Sequence, residues 1–120
     1  MSTPTVQSPI AEGGEQIDLA QMQQHADDAT RLLKALANEK RLLILCLLTE
    51  GERSVTALNR QLDLSQSALS QHLAVLCADG LVQTRREAQT IYYAIADGPA
   101  QRIMKTLHDI FCGTERTSSP

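Results

Sequence analysis

Residues 64–76 read LSQSALSQHLAVL, and wound as a helix this stretch has two unlike sides. At about 100° per residue, Leu69, Leu73 and Leu76 fall together while Ser67, Ser70, Gln71 and Ala74 fall roughly opposite. The outward side carries no charge. Serine is a mediocre helix former, and a helix that only faces water is better served by long charged residues. A helix that enters the major groove of double-stranded DNA gains from the same choice. Small side chains let the backbone come close, and hydroxyls and amides exchange hydrogen bonds with base edges and phosphates.

The flanking residues place this helix in a larger unit. Ser65 is a helix cap, and Gln66 and Ser67 follow at an amino end, where free N–H groups and the helix dipole favour a phosphate. Ser54 caps a shorter helix with Val55, Leu58 and Leu62 inward, which breaks at Leu62-Asp63-Leu64. Two short helices across a tight break predict a helix-turn-helix. After Gly80 the period changes: residues 81–95 (LVQTRREAQTIYYAI) are rich in β-branched and aromatic types around a polar centre, Arg86 to Gln89, which predicts a two-stranded hairpin. Such a hairpin would act as a wing that carries Arg85, Arg86 and Gln89 to the DNA backbone or minor groove. The candidate DNA contacts are thus Ser65, Gln66, Ser67, Ser70, Gln71, Arg85, Arg86 and Gln89.

Upstream, Asp18 caps a first helix with Gln21 three residues on, and Met22, Ala26, Ala29, Leu33 and Leu36 form its stripe. Asn38 restarts the pattern. Every residue from Leu42 to Leu48 is apolar, so the second helix is expected to be covered nearly all round until it ends near Gly51. Asp97-Gly98-Pro99 opens a last helix striped by Ile103, Leu107, Ile110 and Phe111. The fold class is mainly α with a small β-hairpin, a winged helix-turn-helix. Residues 1–16 read as a flexible leader, 17–112 as the DNA-binding and dimerisation domain, and 113–120 as a loose tail.

At 120 residues the chain is one domain's length, with a formal net charge of −3. Its acidity sits at the front, because residues 1–30 hold five acidic groups and no Lys or Arg, which leaves the other 90 residues at +2. A monomer with so little positive charge would hold DNA weakly. Two copies joined through the first and last helices would double the contacts and read a palindromic operator, its half-sites about one DNA turn apart. No apolar run is long enough to span a bilayer, no secretory signal opens the chain, and three cysteines make no disulfide framework. A cytoplasmic homodimer that contacts no membrane is expected.

Three blocks, LKALANEKRLLIL (Leu33–Leu45), LSQSALSQHLAVLCADGLV (Leu64–Val82) and RREAQTIYY (Arg85–Tyr93), resemble the ArsR-type winged-helix repressors over roughly residues 20–112. The resemblance implies a non-enzymatic homodimer that leaves DNA when an inducer binds. Two metal sites of that family do not carry over. Ser54 and Thr56 stand where one needs cysteines, and although Asp97 fits the other, Pro99, Ile110 and Gly113 occupy its remaining places. His25, His72 and His108 are scattered over three helices, so no metal and no cofactor is expected. Cys46 by itself reads as an inert buried hydrophobe. Paired with Cys112 on the last helix, however, it is similar to the persulfide-sensing branch typified by BigR, SqrR and HlyU. That likeness implies a redox switch in which a persulfide or polysulfide inducer links Cys46 and Cys112 by a disulfide or polysulfide bridge. Cys77 reads as structural. Other readings are a metal-sensing repressor, a HlyU-like anti-silencing virulence regulator and, in a different class, a small thiol oxidoreductase. The last has no Cys-x-x-Cys pair and no α/β pattern behind it.

Overall fold

The computed structural model describes residues 17–113. The expected leader, 1–16, and residues 114–120 of the expected tail lie outside them. In chain order the elements are α1 Leu19–Leu36, α2 Glu39–Leu48, β1 Arg53–Ser54, α3 Val55–Gln61, α4 Gln66–Ala78, β2 Val82–Glu87, β3 Thr90–Ile95 and α5 Pro99–Phe111. Packing divides the chain into two units, at Thr30 and Arg31. No described helix is long and apolar enough to cross a membrane.

Four of the five helices among the described residues start on a side-chain cap that the sequence announces. In the first unit, the backbone N–H of Gln21 donates to Asp18 Oδ1 at 3.1 Å. In the second, Arg41 N–H donates to Asn38 Oδ1 at 3.0 Å, Ala57 N–H to Ser54 Oγ at 3.1 Å and Ala68 N–H to Ser65 Oγ at 3.1 Å. Each cap contributes about 1 kcal/mol by satisfying an otherwise orphaned donor. Pro99 opens α5 without such a cap. At the far end of α4, Leu81 N–H donates to Leu76 O and Gly80 N–H to Cys77 O. This double closure needs a left-handed residue, supplied by Gly80 at φ +74°.

The sheet is larger than the hairpin the sequence predicts. Strands β2 and β3 pair antiparallel, Val82 opposite Ile95 through Glu87 opposite Thr90, with Ala88 and Gln89 at the tip. A third strand, β1, adds to the other edge of β3, with Arg53 opposite Tyr93 and Ser54 opposite Tyr92. Two residues carry no period, so β1 exists only through its partner strand.

The core of the second unit is aliphatic. Ile44, Leu45 and Leu48 of α2, Leu58 of α3, and Leu69, Leu73 and Leu76 of α4 are all fully buried, each contributing about 1.5–3 kcal/mol by leaving water. Leu81, Val82, Ala100 and Met104 complete it. One expectation needs correction. Helix α2 is not covered all round, because Leu43 is 41% exposed and Cys46 is exposed too. Along α5, Ile103 and Leu107 reach the core but Ile110 and Phe111 remain outside, Phe111 at 70% exposure. A chain of this length has one core, and the start of α5 already fills its share of it.

Candidate nucleic-acid interface and thiol groove

Helices α3 and α4 form the helix-turn-helix, and their turn is pinned from inside. Leu62 N–H donates to Leu58 O at 3.1 Å and Leu64 N–H to Leu62 O at 3.0 Å. Asn59 Nδ2 reaches across the break and donates to Leu64 O at 2.9 Å. Sequence reasoning passed over Asn59, whose signal was an amide one turn before a helix break. With Leu69, Leu73 and Leu76 buried, the other side of α4 presents Ser67, Ser70, Gln71 and Ala74, and its amino end presents Ser65 and Gln66, all exposed. Ser65 Oγ lies 3.3 Å from Ser67 Oγ, so two hydroxyls gather at the amino end. This surface offers donors and acceptors without fixed charge.

The wing divides its two arginines. Arg85 donates through Nε and Nη2 to both oxygens of Glu52, at 2.9 and 2.8 Å, and through Nη1 to Glu87 Oε1 at 2.9 Å. Its guanidinium also lies 4.7 Å from the Tyr92 ring centroid. Those hydrogen bonds hold the Glu52 carboxyl below the usual carboxylate range and push the Arg85 pKa further up. Arg85 is one of the expected DNA contacts; in the unbound chain two carboxylates balance its charge, and it braces the wing against the turn after α2. Arg86 is the next residue of the strand and therefore points to the other face. It is exposed and has no ion pair among the described residues, and Gln89 at the tip is also exposed. Glu52 lies 33 positions from Arg85, a pairing that no local pattern reveals.

Arg41 joins three elements. Its Nε donates to Ala35 O at 2.7 Å and its Nη2 to Lys34 O at 3.2 Å, both in the last turn of α1, and its Nη1 lies 3.5 Å from His72 Nδ1 on α4. The end of α1 is thereby tied to the helix that carries the polar face.

A second site lies away from that face. Leu42, Leu43 and Cys46, at helical steps of one and three, share a side of α2. Together with Leu107, Phe111 and Cys112 they line one apolar groove of about 210 Å³. Both cysteines are free and exposed. The inert-hydrophobe reading of Cys46 thus loses its premise of burial. Cys77 is half-buried, and burial pushes its thiol pKa up, which leaves it less thiolate. Among the described residues no three His, Cys, Asp or Glu side chains gather to hold a metal ion. The predicted residues therefore lie in three places: the α4 face, the wing and the groove.

Residues 38–84, the span from the α2 cap into β2, match the bacterial regulatory protein arsR family. Over 99 residues the chain is 48% identical to the transcriptional activator HlyU of Vibrio cholerae, covering 82% of this chain and 92% of that protein. The chain belongs to the ArsR family. Reduced HlyU from Vibrio cholerae superposes on this ArsR-family chain with a TM-score of 0.73 at 50% identity, covering 77% of this chain and 97% of that one. The transcriptional repressor BigR from Xylella fastidiosa gives 0.73 at 38% identity, covering 80% and 98%. The homodimeric winged helix-turn-helix DNA-binding domain Mb0332 from Mycobacterium bovis gives 0.69 at 32%, covering 89% and 96%. This ArsR-family chain is a DNA-binding transcriptional regulator of the HlyU and BigR kind, with a winged helix-turn-helix fold. The family is non-enzymatic, and the thiol oxidoreductase reading is set aside.

Proposed function

We propose that this ArsR-family regulator is a homodimeric repressor of a palindromic operator, and that linkage of Cys46 to Cys112 by reactive sulfur releases it from DNA. The carrying observation is that two exposed thiols from distant parts of the chain line a single groove formed by α2 and α5. One thiolate attacks the terminal sulfur of a persulfide R–S–SH, whose S–S bond breaks to release the thiol RSH. The second thiolate then attacks the protein sulfur of the new Cys–S–SH and expels sulfide. Two protein thiols are oxidised to a disulfide while the sulfane sulfur is reduced to sulfide.

The link matters because of what α5 does. Its outward Ile110 and Phe111 and the exposed Leu33 of α1 are apolar surfaces suited to a second copy, and Mb0332 is homodimeric. A covalent tie between α2 and α5 alters the angle at which two protomers meet. The two α4 helices then leave the spacing of successive major grooves, and contacts at both half-sites weaken together. Ser65, Gln66, Ser67, Ser70 and Gln71 read or position the DNA in this scheme, while Arg86 and Gln89 extend the contact from the wing. The domain that does this spans residues 17–112.

The test is a mobility-shift titration on the native promoter. Reduced protein should retard it, persulfide treatment should abolish the shift, and dithiothreitol should restore it. Cys46→Ser and Cys112→Ser should each bind DNA normally yet ignore persulfide; a full response in both variants would sink the switch. Zinc should leave affinity unchanged. The identity to a transcriptional activator supports a second outcome of the same DNA binding, relief of silencing. A promoter reporter that falls rather than rises when the gene is deleted would select it.

A further inference from the structure

The thiol groove does not end at its apolar wall. A second cavity of about 520 Å³, large enough for a small-molecule ligand, shares Thr49, Met104 and His108 with it and is otherwise lined by Gln101, Arg102 and Lys105. These cavity residues of α5 are spaced at steps of one, two and three along one side of the helix, upstream of Cys112. Among the described residues no carboxylate lines either cavity. Arg102 and Lys105 make no ion pair among the described residues, unlike Arg85 and Arg53, whose charges are balanced by glutamates. Positive charge thus borders the thiols with no ion-pair partner among the described residues.

We propose that Arg102 and Lys105, with His108 at the junction, select the sulfur donor: a carboxylate-bearing low-molecular-weight persulfide of amino-acid to tripeptide size. This rests on the dithiol reading of Cys46 and Cys112 and names the donor for that same site. The carboxylates of the donor occupy the cationic cavity, and its terminal sulfur enters the apolar groove beside the cysteines. Apolar walls strip water from the reacting sulfurs, and the cations hold the anionic part where it stays solvated. Attack on the terminal sulfur by one cysteine thiolate releases the carboxylate-bearing thiol. The other cysteine closes the disulfide with loss of sulfide, so the donor leaves as RSH and H2S. An uncharged or cationic persulfide of equal reactivity gains nothing from the cavity.

The experiment follows disulfide formation in full-length reduced protein by intact mass spectrometry, with glutathione persulfide and cysteamine persulfide at matched concentrations. Wild type should react about tenfold faster with the anionic donor, an advantage that shrinks as salt is raised. Arg102→Gln with Lys105→Gln should remove that preference while leaving the cysteamine persulfide rate and the DNA affinity of the reduced protein unchanged, which also shows that the variant folds. Equal rates with both donors in wild type, or a preference that survives the double substitution, would overturn the selection by charge and leave the dithiol switch standing. Failure of either donor to link the cysteines in wild type would overturn the switch itself, and the donor assignment with it.

Discussion

Helices α4 and α5 are the same length, 13 residues, but the chain treats them differently. Helix α4 sinks Leu69, Leu73 and Leu76 completely into the core and leaves uncharged polar groups outside. Helix α5 buries Ala100 and Met104 near its start, half-buries Ile103 and Leu107, and leaves Ile110 and Phe111 in the open. One helix is completed by its own protomer. The other keeps its last turn apolar and uncovered, beside a groove that holds two thiols. The contrast separates an uncharged polar surface, proposed above to meet DNA, from an apolar one beside two exposed thiols, proposed to meet a second copy and reactive sulfur.

Substitutions can break that contrast, and the largest effect belongs inside α4. Leu69→Ala should cost about 2–5 kcal/mol of folding stability in a denaturant titration, because a fully buried leucine leaves a cavity. Phe111→Ser should leave that stability nearly unchanged yet shift sedimentation toward monomer and lower DNA affinity by about tenfold or more, as expected for an aromatic anchor of an interface. A large loss of protomer stability from Phe111→Ser would erase the distinction between the helices. Gln71→Ala should weaken operator binding by about 1–3 kcal/mol and non-specific binding much less. Equal losses on both DNAs would move Gln71 from the bases to the backbone.

The smallest expected effect lies in the brace behind the wing. Glu52→Gln should lower DNA affinity modestly and loosen the hairpin in hydrogen exchange, since Arg85 then loses one of its two carboxylates. The same brace gives a pH dependence. Because the Glu52 carboxyl titrates below its ordinary value when folded, its contribution is present above that ordinary value and is lost as pH falls through the lowered one. Wing protection that did not change between neutral and strongly acid pH would remove Glu52 from this role.

Local chemistry was the legible part. Asp18, Asn38, Ser54 and Ser65 could be placed as caps because a cap acts within three residues, and the faces of α4 followed from helical geometry alone. Strand β1 and the Glu52–Arg85 pair were hidden, since each depends on residues brought together from far along the chain. The run from Leu42 to Leu48 concealed something else: a helix apolar on every side has no period, so nothing in it marked Leu43 and Cys46 as the side left open. Cys112 was found through family likeness rather than spacing. That both thiols line one groove became visible only in three dimensions.

The reach of Arg41 has a mechanical corollary. One planar cation grips the final carbonyls of α1 and touches a ring nitrogen on α4, so a twist imposed at the C-terminal turn of α1 is expected to reach α4, the helix proposed to face DNA, as tilt. No hinge is needed for that transmission, and a shorter amine at position 41, unable to span both ends, would uncouple them like a slipped gear.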